Sequence, residues 1–99
     1  MSICFLNDKY LDLQEAKISP LDRGFLFGDA IYEVIIAVNK KPFELGAHLT
    51  RLKKNISSLK YSLSDQFDLE EIIIEVISRN KFLNQVIYVQ ISRGTDTVR

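Results

Sequence analysis

Four short segments of the chain have the apolar pattern of β-strands: residues 3–6, 10–13, 31–38 and 86–92. The first two, joined by Asn7-Asp8-Lys9, predict a hairpin with a polar turn. After the third, we expect Pro42 to break the strand and Phe43 to begin a short return strand. The last segment alternates, which predicts two faces: Ile87, Val89 and Ile91 on one, and Tyr88, Gln90 and Ser92 on the other.

Two amphipathic helices are predicted between the third and the last strand. In the first, apolar residues recur at helical spacing (Leu49, Leu52, Ile56 and Leu59), with His48, Arg51 and Asn55 on a neighbouring polar face. In the second, Ser64 or Asp65 can cap the start, and the apolar set is Leu69, Ile72, Ile73, Val76 and Ile77. Three successive isoleucines also suit a strand, but acidic residues at the start and basic residues at the end favour a helix. Strands, two helices and a strand predict an α+β fold of two layers.

Composition narrows the classes of function only slightly. A chain of 99 residues, 46% hydrophobic and 26% charged, is expected to form one globular domain. Thirteen basic and thirteen acidic residues give no net charge, which argues against nucleic acid or an acidic membrane surface as a partner. No apolar segment approaches the roughly 18 to 20 residues that cross a bilayer, and no secretory signal is visible, so we expect a cytoplasmic protein. Cys4 is expected to be a buried, inert thiol.

Candidate chemistry is sparse when the residues are taken alone. The chain has one histidine, no nucleotide-binding glycine loop and no nucleophile elbow. Arg51 either binds an anion or is a solvated surface arginine, and Arg93 either bonds carbonyls at a strand end or faces a ligand. Tyr32 suits a core position with its hydroxyl at the rim. On this basis the function stays open.

Four stretches in order resemble a known family. SPLDRGFLFGDAIYEVI at residues 19–35, KPFELGAHLTRL at 41–52, the pair of helices, and IYVQISRG at 87–94 are similar to the N-terminal domain of class IV (fold-type IV) pyridoxal-phosphate-dependent aminotransferases. The D-alanine aminotransferase branch is the nearest in pattern. The resemblance covers the whole chain, and it implies a two-layer antiparallel sheet with two helices.

The resemblance also implies roles for particular residues. Asp22-Arg23-Gly24 would make a turn, residues 25–27 would anchor it in the core, and Tyr32 and Val34 would share the face that lines the substrate pocket. Arg51 matches the arginine that binds the cofactor phosphate, and Arg93-Gly94 matches a pair that shapes the strand end. Arg99 is the counterpart of an arginine that binds the substrate carboxylate in the neighbouring subunit of a dimer, although the spacing here is about one residue longer. Ala30 replaces the usual glycine of the family.

The resemblance further implies that this chain is one part of an enzyme. The lysine that holds pyridoxal phosphate covalently, and the acid that keeps its ring nitrogen protonated, belong to a second, C-terminal domain, and none of the eight lysines here matches the catalytic position. We therefore expect residues 1–99 to be the small N-terminal domain, inactive and self-associating when isolated. We also expect Arg51 and Tyr32 to face one common cavity.

The implied activity is amino transfer between D-alanine and 2-oxoglutarate, giving pyruvate and D-glutamate, by a homodimer. Two members of the same superfamily are alternatives, 4-amino-4-deoxychorismate lyase and branched-chain aminotransferase. An alternative of another class is a non-catalytic remnant that acts as a binding or dimerisation module.

Overall fold

The computed structural model describes residues 2–64 and 66–96, which form two antiparallel sheets and three α-helices. The elements follow in the order β1 (Ile3–Leu6), β2 (Lys9–Asp12), a short 3-10 helix (Leu13–Glu15), α1 (Arg23–Phe27), β3 (Ala30–Val38), β4 (Lys41–Pro42), α2 (Leu45–Ser58), α3 (Leu69–Arg79) and β5 (Gln85–Ser92). No helix in these described ranges is long and apolar enough to span a bilayer. The α+β class and the antiparallel sheet predicted from the sequence are confirmed, with the strands divided between two sheets.

Strand β3 is the centre of the larger sheet, whose order is β4-β3-β5. It pairs with β5 along most of its length, from Ala30 opposite Ser92 to Ala37 opposite Gln85. Its turn to β4 uses Asn39 and Lys40, both with positive φ, as a tight hairpin turn requires. Pro42 was expected to break the strand, but it lies within β4 because an edge position needs no donor from the proline nitrogen.

The core lies between the β4-β3-β5 sheet and the helices α2 and α3. Alternate residues of β3 point into it, and Ile35 and Ala37 are completely covered. The cluster is completed by Leu49 of α2, Ile73 and Ile77 of α3, and Ile87 of β5. These residues belong to the apolar faces that the sequence predicted for both helices and for the last strand. Within the described residues no helix covers the opposite face of the sheet, where Tyr32, Ile36 and Tyr88 are exposed.

The β1-β2 hairpin is attached to α3 by a buried asparagine. Asn80, the C-cap of α3, accepts a hydrogen bond from the Ile3 nitrogen and donates one to the Ile3 carbonyl, both at 2.9 Å. Its side chain also donates to the Val76 carbonyl at 2.8 Å. The amide thus satisfies the edge of β1 as a neighbouring strand would, because it offers one donor group and one acceptor.

Both predicted helices are present, but their ends differ from the predictions. Asp68 caps α3, since its Oδ1 accepts from the Glu71 nitrogen at 3.1 Å, whereas the Ser64 hydroxyl oxygen accepts only from the nearby Gln66 nitrogen. Asp65, the other proposed cap, lies outside the described residues. Leu59 was expected on the apolar face of α2 but is half exposed, because it follows the last turn of that helix.

The segment from Arg23 to Phe27 is helical rather than a plain turn. Asp22 caps it through the Gly24 nitrogen, and Gly28 ends it in the left-handed region, at φ 67°. The expectation that residues 25–27 anchor this segment in the core is wrong within this chain, because Phe25 is 69% exposed and Phe27 is 55% exposed. The anchor is polar instead, since Arg23 Nε donates to Asp29 Oδ2 at 3.0 Å.

Candidate functional site

Tyr32 and Val34 lie together on the open face of the β4-β3-β5 sheet, as their spacing on β3 predicts. Tyr32 is 60% exposed, and its ring stacks on that of Tyr88 with centroids 5.5 Å apart and planes 2° from parallel. Tyr88 is opposite Val34 and Gln90 is opposite Tyr32 in the antiparallel register. The result is a flat aromatic platform with two hydroxyl groups, exposed on the face that the helices do not cover.

Glu33 points to the face of the sheet that α2 and α3 cover. It is the one acidic residue among the alternate residues of β3 that are buried. Only 6% of its side chain is exposed, and both carboxylate oxygens are occupied. Arg51 of α2 donates from Nε to Oε2 at 2.7 Å and from Nη2 to Oε1 at 2.6 Å, a two-pronged arrangement. His48, one turn earlier on α2, places its Nδ1 2.6 Å from Oε1. The spacing of His48 and Arg51 on one face of the helix makes both contacts possible.

This ion-paired group keeps Glu33 charged. Hydrogen bonds from Arg51 first, and then from His48, lower the pKa of Glu33 to about 2, against the opposing effect of burial. The same carboxylate raises the pKa of Arg51. The Arg51 side chain is nevertheless 63% exposed, and its Nη1 makes no hydrogen bond within the described part of the chain. Glu33 therefore orients the guanidinium and leaves one donor group available.

Within this chain Arg51 and Tyr32 lie on opposite sides of the β4-β3-β5 sheet, and the expectation that both face one common cavity stays a prediction. Tyr32 and Glu33 are neighbours on a strand and project from opposite faces, and Arg51 binds on the side of Glu33. Tyr32 and Glu33, the partner of Arg51, are neighbours on β3, and the edge of β3 away from β5 runs past both positions. Strand β4 pairs only with Ala37 and Val38, so at positions 32 and 33 no described strand covers that edge. A group lying along it would have the platform on one face and the guanidinium on the other.

A second polar cluster, here called the Asp29 cluster, consists of Arg23, Asp29, Tyr61 and Arg93. Asp29 Oδ2 accepts from Arg23 Nε at 3.0 Å and from Arg93 Nε at 2.9 Å, and Oδ1 accepts from the Tyr61 hydroxyl at 2.7 Å. The Arg93 guanidinium also lies over the Tyr61 ring at 4.2 Å and donates to the Leu59 carbonyl at 2.9 Å. The Arg93 side chain thus has a structural role at the strand end, one of the two roles that the sequence left open.

The Asp29 cluster explains why the sequence places two turn signals before a strand. Asp22 accepts from the Gly24 nitrogen and from the Ser92 hydroxyl, which joins the start of α1 to the end of β5. Gly24 has no room for a side chain, since a Cβ there would lie 2.9 Å from both Asp22 Oδ1 and Ser92 Cβ. The Asp-Arg-Gly, Gly-Asp and Ser-Arg-Gly stretches are therefore parts of one polar junction.

Hydrogen bonds within the Asp29 cluster keep the Asp29 carboxyl group ionised. The Tyr61 hydroxyl first, and then Arg23, lower the pKa of Asp29, while burial acts against them. Burial and the neighbouring carboxylate raise the pKa of Tyr61, so its hydroxyl remains a donor at neutral pH. The acceptor that holds the cluster is therefore charged at neutral pH.

Sequence reasoning did not find Glu33 or Asp29 as site-forming residues. A signal for Glu33 was present in the sequence: it lies between Ile31 and Ile35 in the alternating set of β3 residues that point into the core. A charge in a buried set needs a partner, so this position could have been identified. Asp29 carried no comparable signal, since its partners lie 6, 32 and 64 positions away. Arg99, the proposed carboxylate-binding residue, lies outside the described residues.

The chain matches a family model over residues 30–99, and the family is described as amino-transferase class IV. Among curated relatives, it is 36% identical over 95 residues to a D-alanine aminotransferase from Staphylococcus haemolyticus. It is 35% identical over 98 residues to a protein of the same name from Staphylococcus aureus, strain MSSA476. In each case 95% of this chain is covered and 34% of the relative, so the chain spans about a third of the length of the curated relatives it matches.

Solved structures have the same fold. A fold IV transaminase from Curtobacterium pusillum superposes with a TM-score of 0.78 at 22% identity, covering 90% of this chain and 32% of that one. A hypothetical aminotransferase from Mycobacterium tuberculosis, in its PLP-bound form, superposes with a TM-score of 0.73 at 16% identity, covering 97% of this chain and 35% of that one. At these identities the likeness establishes the fold of this chain and nothing more.

Proposed function

Because this chain belongs to the class IV aminotransferase family, we propose that the complete protein is a pyridoxal-phosphate-dependent D-amino-acid aminotransferase. Its reaction would be D-alanine and 2-oxoglutarate to pyruvate and D-glutamate. Residues 1–99 would be its small N-terminal domain, and the domain that carries the catalytic lysine would follow. The observation that carries the proposal is the 36% identity to a D-alanine aminotransferase over 95 residues, since it spans nearly all of this chain.

Arg51 is proposed to bind the cofactor phosphate. The residues present fit that group: the guanidinium is fixed through Nε and Nη2 by a buried carboxylate, and Nη1 remains as a donor on an exposed side chain. A charged donor held on a helix in one orientation loses little conformational freedom when it binds an anion. Pyridoxal phosphate, when bound, supplies the electron-withdrawing ring that amino transfer requires. This chain would contribute to its retention and not to the covalent step.

Tyr32, Val34 and Arg99 are proposed to form the substrate side of the site. Tyr32 and Val34 belong to the open sheet face, and the exposure of Tyr32 leaves its hydroxyl available to a substrate carboxylate. The free edge of β3 allows a bound molecule to contact this face while its phosphate reaches Arg51 behind it. Arg99 would supply a cation to the site of the neighbouring subunit. The substrate carboxylate needs a positive group of its own, because Arg51 would already bind the cofactor phosphate.

A homodimer that functions in the cytoplasm is part of the same proposal. The open face carries exposed apolar side chains on both long strands, namely Tyr32, Val34, Ile36, Val38, Val86 and Tyr88. An apolar surface of this kind is normally covered by another domain or subunit. The proposed substrates are a small amino acid and a 2-oxo acid.

An amino-donor panel with the full-length protein tests the proposal. D-alanine, D-glutamate, L-leucine, L-valine and 4-amino-4-deoxychorismate are supplied in turn with pyridoxal phosphate and, for the amino acids, a 2-oxo acid acceptor. Chiral analysis of the products is expected to find D-glutamate from D-alanine and 2-oxoglutarate. Preferential turnover of the L-amino acids, or release of pyruvate from 4-amino-4-deoxychorismate, would replace the proposed activity with that of another superfamily member. No turnover of any donor would favour a non-catalytic module.

A further inference from the structure

We infer that Asp29 is a positioning residue: through Arg23 and Arg93 it fixes the chain that leaves the sheet after β5 and so sets where the following residues reach the substrate. The restraint itself rests on contacts of described residues. Its consequence for the substrate rests on the proposed function. None of the residues involved is proposed to touch a reacting atom.

The segment from Arg93 to Asp96 is held at nearly every residue. The Arg93 nitrogen donates to the Asp29 carbonyl at 3.1 Å, and the Arg23 nitrogen donates to the Gly94 carbonyl at 2.7 Å. Arg23 Nη1 donates to Asp96 Oδ2 at 2.9 Å. Main chain and side chain of the same two residues, Arg23 and Asp29, therefore restrain the path of the segment.

Asp29 is the acceptor on which these links converge. Its side chain is 19% exposed, and one of its oxygens receives Nε of both arginines. If its charge were removed, Arg93 would lose its charged acceptor among the described residues and Arg23 would keep only Asp96, so the links that they make to the segment would loosen. The pKa of Asp29 is lowered, so the restraint does not titrate near neutral pH.

The restrained segment makes a sharp change of direction. Gly94 has φ 97°, and a bridge between Asp22 and Thr95 continues the pairing beyond β5. Under the proposed function the carboxylate-binding Arg99 lies three positions after Asp96. Small displacements of substrate-positioning groups reduce catalytic efficiency strongly. The Asp29 cluster therefore acts on substrate binding.

The effect on substrate can be separated from an effect on cofactor. Within the described part of the chain, no hydrogen bond joins the Asp29 cluster to Glu33 or Arg51. A loss of Asp29 charge should therefore alter KM for the amino donor while leaving cofactor affinity unchanged.

The experiment compares Asp29→Asn with the matched control Asp68→Asn in the full-length protein. Asparagine keeps the size of Asp29 and an oxygen for Tyr61, and at Asp68 it preserves the helix cap because asparagine is an equally good N-cap. Both variants remove one negative charge. Hydrogen–deuterium exchange of peptides covering residues 93–96, steady-state kinetics with D-alanine, titration with pyridoxamine phosphate and Tm are measured for each.

For Asp29→Asn we expect exchange over residues 93–96 to accelerate and KM for D-alanine to rise, each about tenfold, since the restraint is local and the proposed carboxylate-binding Arg99 follows the segment that it holds. Both kcat and the Kd of pyridoxamine phosphate should stay within about twofold of wild type, and Asp68→Asn should change none of these quantities. Unchanged exchange in Asp29→Asn would overturn the restraint. Faster exchange with an unchanged KM would overturn its role in substrate binding.

A second variant covers the case in which Asp29→Asn lowers Tm well below the control. Asp96→Asn removes only the negative charge that pairs with Arg23 Nη1, so the same changes should appear at about threefold, and unchanged exchange would refute the restraint. Wild-type protein with no transaminase activity would defeat the proposed function instead. The comparison of hydrogen–deuterium exchange would still test whether Asp29 restrains residues 93–96.

Discussion

Replacing Glu33 with glutamine removes the charge behind Arg51 without changing the size of the side chain. Glutamine can still accept one hydrogen bond, but it cannot offer two charged oxygens to the Nε and Nη2 groups that Arg51 now donates. We expect the guanidinium to lose its fixed orientation. If Arg51 binds the cofactor phosphate, that loss should weaken cofactor binding even though Glu33 itself need not touch the cofactor.

The magnitude follows from the pKa of Glu33. Its fall from an ordinary 4.5 to about 2 corresponds to at most about 3.5 kcal/mol, at about 1.4 kcal/mol for each tenfold change in the proton equilibrium. Arg51 is largely exposed, and water screens its charge, so we reduce the expected loss to about 1 to 2 kcal/mol of unfolding free energy. If the loss of this fixed orientation removes about 1.4 kcal/mol of binding free energy, the Kd of the cofactor rises about tenfold.

The assay uses pyridoxamine phosphate, which binds without a covalent link, in the full-length protein. Its Kd is measured by titration, and unfolding free energy by denaturant, for wild type, Glu33→Gln and the control Glu75→Gln. Glu75 also pairs with an arginine, Arg79 at 2.7 Å, but on an exposed helix surface where such a pair contributes about 0.3 to 0.5 kcal/mol. The control should therefore leave the Kd unchanged and affect stability only slightly.

The pH dependence has a definite sign. The pKa of Glu33 is lower in the folded state than its ordinary value, so its stabilisation is complete above about pH 5 and lost as pH falls toward about 2. The difference in unfolding free energy between wild type and Glu33→Gln should shrink across that window. A wild-type Kd in Glu33→Gln, together with a stability loss no larger than that of Glu75→Gln, would refute the reasoning.

Three further outcomes follow from the same structure. Arg51→Ala should raise the Kd of pyridoxamine phosphate by about 10- to 100-fold, and an unchanged Kd would contradict the phosphate role. It should also lower the unfolding free energy by about 1 to 2 kcal/mol, because the buried Glu33 carboxylate loses the two hydrogen bonds from Arg51. Arg99→Ala should raise KM for D-alanine more than it changes Tm, and wild-type kinetics would reduce Arg99 to a surface residue. Gly24→Ala should lower stability by about 1 to 3 kcal/mol through the contacts that its Cβ would make, whereas Gly46→Ala, in α2 with nothing near it, should raise stability by about 0.5 kcal/mol. Equal effects in these two variants, measured by denaturant unfolding, would contradict the steric argument.

The spacing of apolar residues along the chain was sufficient to predict the longer strands and helices and the faces that they bury. The β1-β2 hairpin, strands β3 and β5, and the inward faces of α2 and α3 were predictable because side-chain alternation and helical recurrence are local properties of the chain. Ordered motifs were sufficient for the family, because their combination along the chain is specific. The α3 cap was misplaced, since several acidic and hydroxyl residues before Leu69 can all serve as caps.

Only the tertiary structure decided what the charged residues contact. Asp29 joins residues from α1, the segment after α2 and the end of β5, and no local pattern encodes contacts across 64 positions. The sequence predicted an anion-binding role for Arg51, but the attachment of Arg51 to Glu33, on the face of the sheet opposite Tyr32, depends on how α2 packs on the sheet. The chain by itself determines which residues are apolar and where they recur, whereas packing determines which polar groups meet, because a buried charge is stable only where another element brings it a partner.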